Sequence, residues 1–320
     1  MKKTNWKMAV IVAAALVAAG PSAFAEEAKA PAKASAPKAA AQKTFATPED
    51  AAKALVEAVR AADVVGLLAV MGPQSKGWIF TGDKVSDATE WKNFLAAYDK
   101  KNAVNKEGDA RAILVIGDDW PFPAPIVKKG DKWAFDADAG REEVINRRVG
   151  RNELDTIQTM LAIVDAQREY AAKDADGNGF ADYATRFMST PGKKDGLYWA
   201  TKEGEPLSPL GPLAARAVRE GYGKVANTGK PAPYNGYYYR ILTRQGKDAP
   251  GGAYDYLVKG KLFGGFAVVA YPASYGNSGV KTFIVNHDGV VFEKDLGPGT
   301  ANEAGKMKSY NPDKTWSKVQ

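Results

Sequence analysis

One segment constrains the fold more than any other: residues 151–190 join an amphipathic helix to an acidic, glycine-containing loop. Asn152 is a favourable N-cap, and Glu153 and Asp155 place negative charge in the first turn, where the helix dipole favours it. Apolar residues then recur at spacings of three, four and seven, which predicts one buried stripe. The stripe consists of Leu154, Ile157, Leu161, Val164 and Ala171. The turn-forming residues that follow predict that the helix ends near Lys173.

The loop after this helix has the pattern D-x-D-x-N-G-x-x-D, as in the first part of an EF-hand calcium loop. Hard cations need several oxygen ligands, and acidic or amide side chains at every second position supply them. Position 12 is Thr185, so the usual bidentate glutamate is missing, and the predicted Ca²⁺ site is short, weak and structural. The alternative is a solvated turn without metal. The candidate ligands are Asp174, Asp176, Asn178, Asp182 and the carbonyl of Phe180.

The N-terminus has the features of a secretory signal. Lysines precede an apolar run over residues 8–19, and Ala23-Phe24-Ala25 is an A-x-A cleavage site. Gly20-Pro21 interrupts the run before it reaches the roughly 20 apolar residues of a membrane anchor. We therefore expect a signal peptide over 1–25, a periplasmic or secreted protein, and no transmembrane segment after cleavage. Residues 26–43 are rich in Ala, Lys and Pro, which predicts a disordered tether.

Composition excludes several classes of function. The absence of cysteine excludes a disulfide scaffold, a thiol nucleophile and Cys-ligated zinc. The single histidine, His287, excludes a multi-histidine metal site, and its place in the hairpin turn 286–289 predicts exposure, a poor setting for a general base. The net charge of +7 falls to +2 over residues 44–320, because the signal and tether carry most of the excess lysine. Without a concentrated basic patch, a nucleic-acid partner is not expected.

The chain as a whole predicts an α+β fold in two domains. In residues 44–138, Thr47 caps a first helix with Pro48 at N1, and a second helix is expected over residues 89–98. Strands are expected over 112–116, 126–127 and 133–135, joined by a proline-rich turn. Helices followed by an antiparallel meander resemble the cone-shaped nuclear-transport-factor-2-like folds.

Residues 139–320 predict a long helix packed on an antiparallel sheet. The strands are expected over 236–242 and 265–272 and in a hairpin of 281–286 with 290–294. The segment 138–151 predicts a charged helix leading into the amphipathic one. Its arginines, Arg147, Arg148 and Arg151, either pair with nearby glutamates and face water or form an anion clamp.

Several stretches resemble the exported bacterial proteins grouped as domain of unknown function 2950. They are residues 133–136, 147–154, 166–170, 235–239, 270–272 and 285–291. No activity is established for that family, so the resemblance implies no catalytic residue. Residues 152–294 are also similar to the globular part of type IV pilins and pseudopilins, where an A-Q-x-x-Y helix precedes a loop, a strand and a closing hairpin. Pilins carry a hydrophobic assembly helix, and this chain has an ordinary signal peptide in its place.

Two functions follow as hypotheses. The first is an exported, non-enzymatic binding or structural module of the cell envelope, with an envelope protein or polymer as partner. Its candidate binding residues are the expected exposed aromatics Tyr237, Tyr238 and Tyr239. The second is an envelope hydrolase or isomerase with carboxylates in a pocket of the N-terminal domain, where burial must raise one pKa. The candidate carboxylates are Asp118, Asp119, Asp136 and Asp138.

Overall fold

The computed structural model describes residues 41–222 and 232–319. The first half contains α1 (Pro48–Arg60), α2 (Val64–Met71), α3 (Lys76–Ile79), α4 (Lys84–Lys100), β1 (Asn102–Lys106), β2 (Arg111–Ile116), β3 (Trp120–Pro121), β4 (Ile126–Lys129), β5 (Lys132–Phe135) and α5 (Ala137–Ala172). The second half contains α6 (Gly211–Arg219), β6 (Tyr237–Leu242), β7 (Arg244–Gln245), β8 (Tyr254–Asp255), β9 (Leu257–Val258), β10 (Lys261–Leu262), β11 (Ala267–Pro272), β12 (Lys281–Asn286), β13 (Phe292–Asp295), α7 (Thr300–Lys306), β14 (Ser309–Tyr310) and β15 (Ser317–Lys318). The predicted signal peptide and residues 26–40 of the predicted tether lie outside the described residues.

The first half packs helices on an antiparallel sheet of order β1-β2-β4-β5, with β3 paired to β2. The predicted cap of α1 is confirmed, since Thr47 Oγ1 accepts from the Asp50 N–H at 3.1 Å and Pro48 follows. Strand β1 was not predicted, because its sequence NAVNK is mostly polar and exposed. Apolar side chains from α1, α2 and the sheet form the N-terminal core, which runs from Ala51 to Ala137 in sequence.

The long helix α5 differs from the predicted one at its start. It is continuous over 36 residues and is capped by Asp136, whose Oδ1 accepts from the Ala139 N–H. Asn152 is therefore not an N-cap: it lies buried mid-helix and donates to the Ser278 carbonyl at 2.8 Å. The predicted stripe is also displaced, because Leu154 is 67% exposed. The predicted end near Lys173 is confirmed.

The second half is built on a five-stranded antiparallel sheet of order β15-β13-β12-β11-β6. The predicted strands are confirmed, and so is the closing hairpin, in which Ile284 of β12 pairs with Phe292 of β13. One face of α5 packs on β11 and β12, which buries Met160, Ile163 and Val164 against Val268, Phe283 and their neighbours. We call this cluster the C-terminal core. The long helix on an antiparallel sheet confirms the predicted α+β class.

Polar side chains join the two cores, and the described residues form one compact unit. Arg148 of α5 donates to the Trp78 carbonyl at 2.7 Å and to Asn277 Oδ1 at 2.6 Å. Asn277 in turn donates to the Phe80 carbonyl at 2.8 Å. Over the described ranges, the structure holds no helix long and apolar enough to cross a membrane.

Candidate functional site

The N-terminal core borders a cavity of about 450 Å³ that opens to solvent and lies between the helices α1 to α5 and the strands β2 and β3. This volume lies within the roughly 300–1,000 Å³ of small-molecule sites. Its walls are mainly apolar or aromatic: Leu55, Val59, Leu67, Met71, Trp78, Ile79, Trp91, Phe94, Ala97, Ile116, Trp120, Phe122, Pro123 and Val144. Protein interiors hold few voids larger than a water molecule, so an apolar space of this size is the strongest candidate for a ligand site.

Local sequence explains how the walls are placed. The apolar residues of α1 recur three and four positions apart, which turns Leu55 and Val59 inward. On α4, Phe94 and Ala97 lie on the face toward the cavity, whereas Ala96 is exposed. Phe122 closes the far end, with ring centroids 5.7 Å from Phe94 and 5.8 Å from Phe135 in edge-to-face packing.

One edge of the cavity carries charge, and we call Arg147, Arg148 and Arg151 of α5 the arginine edge. Arg147 pairs with Glu143 at 2.6 Å, and its guanidinium lies 5.8 Å from the Trp120 ring centroid. Arg151 pairs with Glu90 of α4. Charged groups that meet an apolar cavity at one edge can bind a ligand having both kinds of surface.

Two buried N–H donors in the cavity lining have no hydrogen-bond acceptor among the described residues: Trp78 Nε1 and Arg148 Nε. The two residues are only 5% and 4% exposed. An unsatisfied buried donor costs about 1–3 kcal/mol. Burial also lowers the pKa of the Arg148 guanidinium. The neighbouring carboxylates Glu90 and Asp87 act to raise this pKa, but burial outweighs them.

The four carboxylates predicted for a hydrolase or isomerase do not line this cavity. Asp118 and Asp119 are exposed and pair with Lys100 at 2.7 Å and Lys101 at 3.0 Å. The hydrogen bond from Lys100 holds the pKa of Asp118 below its usual value, opposite to what a general acid requires. Asp136 caps α5, and Asp138 in the first turn of that helix is exposed. The structure thus brings none of the four together in a pocket.

The acidic loop after α5 is internally hydrogen-bonded. Asp174 Oδ1 and Oδ2 accept from the N–H groups of Asn178 and Gly179, each at 2.9 Å. Asn178 Nδ2 donates to Asp176 and, at 2.7 Å, to Asp182. The backbone N–H of Phe180 donates to Asn178 Oδ1. These hydrogen bonds form a turn without metal, which was the alternative to a calcium site in the sequence analysis.

Lys261 of β10 supplies the cation that this loop holds in the structure. Its Nζ lies 2.7 Å from Asp176 Oδ2 and 3.3 Å from Asp182 Oδ2, and Asp182 is only 3% exposed. Burial raises the pKa of Asp176, but hydrogen bonds from Lys261 and Asn178 outweigh it and hold that pKa below its usual value. In the part of the chain that the structure describes, no three acidic or histidine side chains are grouped to hold a metal ion. Calcium binding stays a prediction, and it requires the ammonium to leave.

Replacing Lys261 by glutamine is expected to destabilise the fold by about 1–3 kcal/mol at pH 7, because the buried Asp182 loses its cation. The pKa of Asp176 is lowered and that of Lys261 is raised. The stabilisation is therefore complete at neutral pH. It is lost as the pH falls through the lowered pKa of Asp176 or rises through the raised pKa of Lys261.

Thermal unfolding of wild type and Lys261→Gln, each with EDTA and with millimolar Ca²⁺, measures both expectations. A Ca²⁺-dependent rise in the unfolding midpoint that Asp174→Ala abolishes would establish the predicted calcium site, because a ligand stabilises the state that binds it. Equal midpoints of Lys261→Gln and wild type without calcium would contradict the role given to Lys261.

The tyrosines predicted as exposed binding residues do not form an exposed patch. Tyr237 is fully buried, and its hydroxyl donates to the Lys281 carbonyl at 3.0 Å. Burial, with Glu153 nearby, raises its pKa. Tyr238 and Tyr239 are half-buried, and the hydroxyl of Tyr239 bonds to Thr156 on α5. The prediction of exposure was wrong because alternate residues of β6 face the helix.

His287 lies in the predicted turn but is less exposed than expected. Its side chain is 26% exposed and packs edge-on against Tyr256 and Phe266. Nδ1 is buried without a hydrogen-bond partner among the described residues. The ring thus closes the end of the C-terminal core, and it does not line the cavity.

Comparison with known proteins identifies one family. Residues 42–319 match the family model described as "Protein of unknown function (DUF2950)". No curated protein and no solved structure matches the chain, so the resemblance to pilins is not confirmed. The match covers nearly the whole described chain, including both cores and the cavity. The chain therefore belongs to the DUF2950 family of proteins of unknown function.

Proposed function

We propose that this protein is an exported, non-enzymatic binding protein of the cell envelope that holds an apolar or amphipathic small molecule in its N-terminal cavity. The observation that carries the proposal is the cavity itself, an apolar space of about 450 Å³ walled by core residues such as Leu55, Leu67 and Met71. Export rests on the predicted signal peptide over residues 1–25. An envelope protein or polymer remains the proposed partner of the whole molecule.

The cavity lining favours binding over catalysis. Glu90 is its only carboxylate within the described residues, and Arg151 is paired with it. The hydrolase or isomerase hypothesis relied on paired carboxylates whose pKa values are pushed apart, and the lining supplies one carboxylate. Apolar and aromatic walls instead supply the burial that drives association of an apolar ligand.

The proposal predicts saturable binding of a neutral apolar probe. With the compact unit 40–320, N-phenyl-1-naphthylamine fluorescence is expected to rise and saturate. Ala97→Phe fills the cavity from α4 and should weaken binding roughly tenfold or more, about 1.4 kcal/mol. The matched control is Ala96→Phe, one position along the same helix on its exposed face, which should bind as wild type does.

Two results would contradict this function. One is the absence of saturable binding by wild type. The other is equal affinity of Ala97→Phe and Ala96→Phe, which would place the probe outside the cavity. Far-UV circular dichroism of both variants shows whether each remains folded, so that weaker binding is assigned to the filled space.

A further inference from the structure

The arginine edge has more positive charge than its partners neutralise. Its three guanidinium groups share two carboxylates within 4 Å, because Arg147 pairs with Glu143 while Arg148 and Arg151 both approach Glu90. Arg148 NH2 is 3.8 Å from Glu90, and the short contact of that carboxylate is with Arg151. One positive charge is therefore left over beside the cavity.

The nearest other acid does not neutralise this charge by direct contact. Asp87 is buried, and its carboxylate accepts hydrogen bonds from the Thr81 hydroxyl at 2.7 Å and from the Thr81 N–H at 3.1 Å. Burial raises the pKa of Asp87, although Arg148 acts in the opposite direction. Arg148 itself is bound to neutral groups, the Trp78 carbonyl and the Asn277 amide oxygen. Its buried charge has no carboxylate of its own.

The two unsatisfied donors point to the same chemistry. Trp78 Nε1 and Arg148 Nε belong to lining residues and have no acceptor among the described residues. Both nitrogens are covered by protein atoms, so a ligand would have to displace a side chain to reach them. Arg147 and Arg151 are about half exposed and can be reached directly. The two unsatisfied buried groups and the two accessible guanidinium groups are all donors, which an acceptor-rich, negatively charged group would satisfy.

We propose that the cavity binds a single-tailed amphiphile with an anionic head such as a carboxylate, the tail among the apolar walls and the head on the arginine edge. This inference rests on the proposed function and names its ligand class. Guanidinium groups match a carboxylate with two parallel N–H donors, and charge-assisted bonds of this kind are the stronger ones. Arg147 and Arg151, one helical turn apart on α5, hold the head from one side.

The test compares three amphiphiles of equal chain length below their micelle concentrations: dodecanoate, dodecanol and dodecylammonium. Calorimetric titration into the unit 40–320 is expected to rank dodecanoate first, by roughly tenfold or more over dodecanol, with dodecylammonium weakest. Arg151→Gln and Arg147→Gln should each lower dodecanoate affinity severalfold and leave dodecanol affinity unchanged. Arg141→Gln, an exposed arginine of the same helix away from the cavity, is the matched control and should change neither.

The outcomes separate this inference from the proposed function. Equal affinity for dodecanoate and dodecanol, or a preference for dodecylammonium, would overturn the anionic head while leaving the apolar site intact. Equal losses of dodecanoate affinity in Arg151→Gln and Arg141→Gln would also overturn the anionic head. If none of the three amphiphiles binds, the proposed function fails as well. None of these variants removes a buried side chain, since Arg148 is kept throughout.

Discussion

Asp83→Ala is expected to destabilise the fold by about 3–5 kcal/mol, because one buried carboxylate satisfies four donors. Its Oδ1 caps α4 by accepting from the N–H groups of Val85 and Ser86 at 3.0 and 3.1 Å. Its Oδ2 accepts from the Tyr222 hydroxyl at 2.7 Å and from the Gly236 N–H at 3.2 Å. Alanine would remove the cap of α4 and would leave the Tyr222 hydroxyl and the Gly236 N–H without the acceptor that Asp83 provides.

The matched control is Asp63→Ala, which removes the N-cap of α2. Asp63 is exposed and caps by accepting from the Gly66 N–H at 2.9 Å, so its loss should cost only about 1 kcal/mol. Urea unfolding followed by circular dichroism measures both values. Equal losses in the two variants would show that the bonds from Asp83 to Tyr222 and Gly236 contribute nothing to stability.

Replacing glycine by alanine at two positions of α5 is expected to change the stability of the fold in opposite directions. At Gly140, an alanine Cβ would lie 2.6 Å from Ala124 N and 2.7 Å from its Cα. Those are backbone atoms that cannot rotate away, and overpacking of this kind costs about 1–3 kcal/mol. At Gly150 a Cβ meets open space, and alanine should stabilise the helix by about 0.5–1 kcal/mol.

Urea midpoints of Gly140→Ala and Gly150→Ala, compared with wild type, check this pair directly. Both residues lie inside one helix, so intrinsic helix propensity favours alanine equally at each. The difference between the two variants therefore isolates the contact of α5 with the turn at Pro123 and Ala124, which borders the cavity. If Gly140→Ala were more stable than wild type, the backbone at Pro123 and Ala124 would have to move aside at little cost.

Local patterns in the sequence were sufficient for much of the architecture. Thr47 with Pro48 identifies the start of α1, and apolar segments on both sides of the turn 286–289 identify the closing hairpin. Both signals lie within a few residues of the structure they specify. The charged segment 138–151 is helical as predicted, but the capping rule placed a helix start at Asn152 inside α5, because Asn152 has the residue type of an N-cap although Asp136 is the cap.

Features that depend on distant residues were less predictable. Lys261 pairs with Asp182 across 79 positions, so the acidic loop alone could not reveal its cation. The buried face of α5 includes polar Asn152 and Gln167, whose partners are the Ser278 and Ala184 carbonyls. Hydrophobic periodicity does not count such residues as buried. The cavity likewise depends on the packing of seven separate elements, the helices α1 to α5 and the strands β2 and β3.

The arginines show where sequence and structure complement each other. An anion clamp was one of two interpretations of the charged segment, and the sequence favoured the other one, because charged helical faces usually face water. The structure places Arg147, Arg148 and Arg151 on the cavity and also shows Glu143 and Glu90 beside them. Arginines that pair with glutamates therefore also line the cavity. The excess of positive charge at the arginine edge could be counted only once the positions of Glu143 and Glu90 were known.

The continuity of α5 determines how the molecule can be divided. At 1.5 Å per residue, its 36 residues form a rod about 54 Å long. Its first turns wall the cavity and its last turns cover the C-terminal sheet. A cut within Ala137–Ala172 would remove a wall from one half or the other, so neither fragment would retain a complete interior. The protein is thus expected to tolerate neither splitting nor domain exchange within this helix.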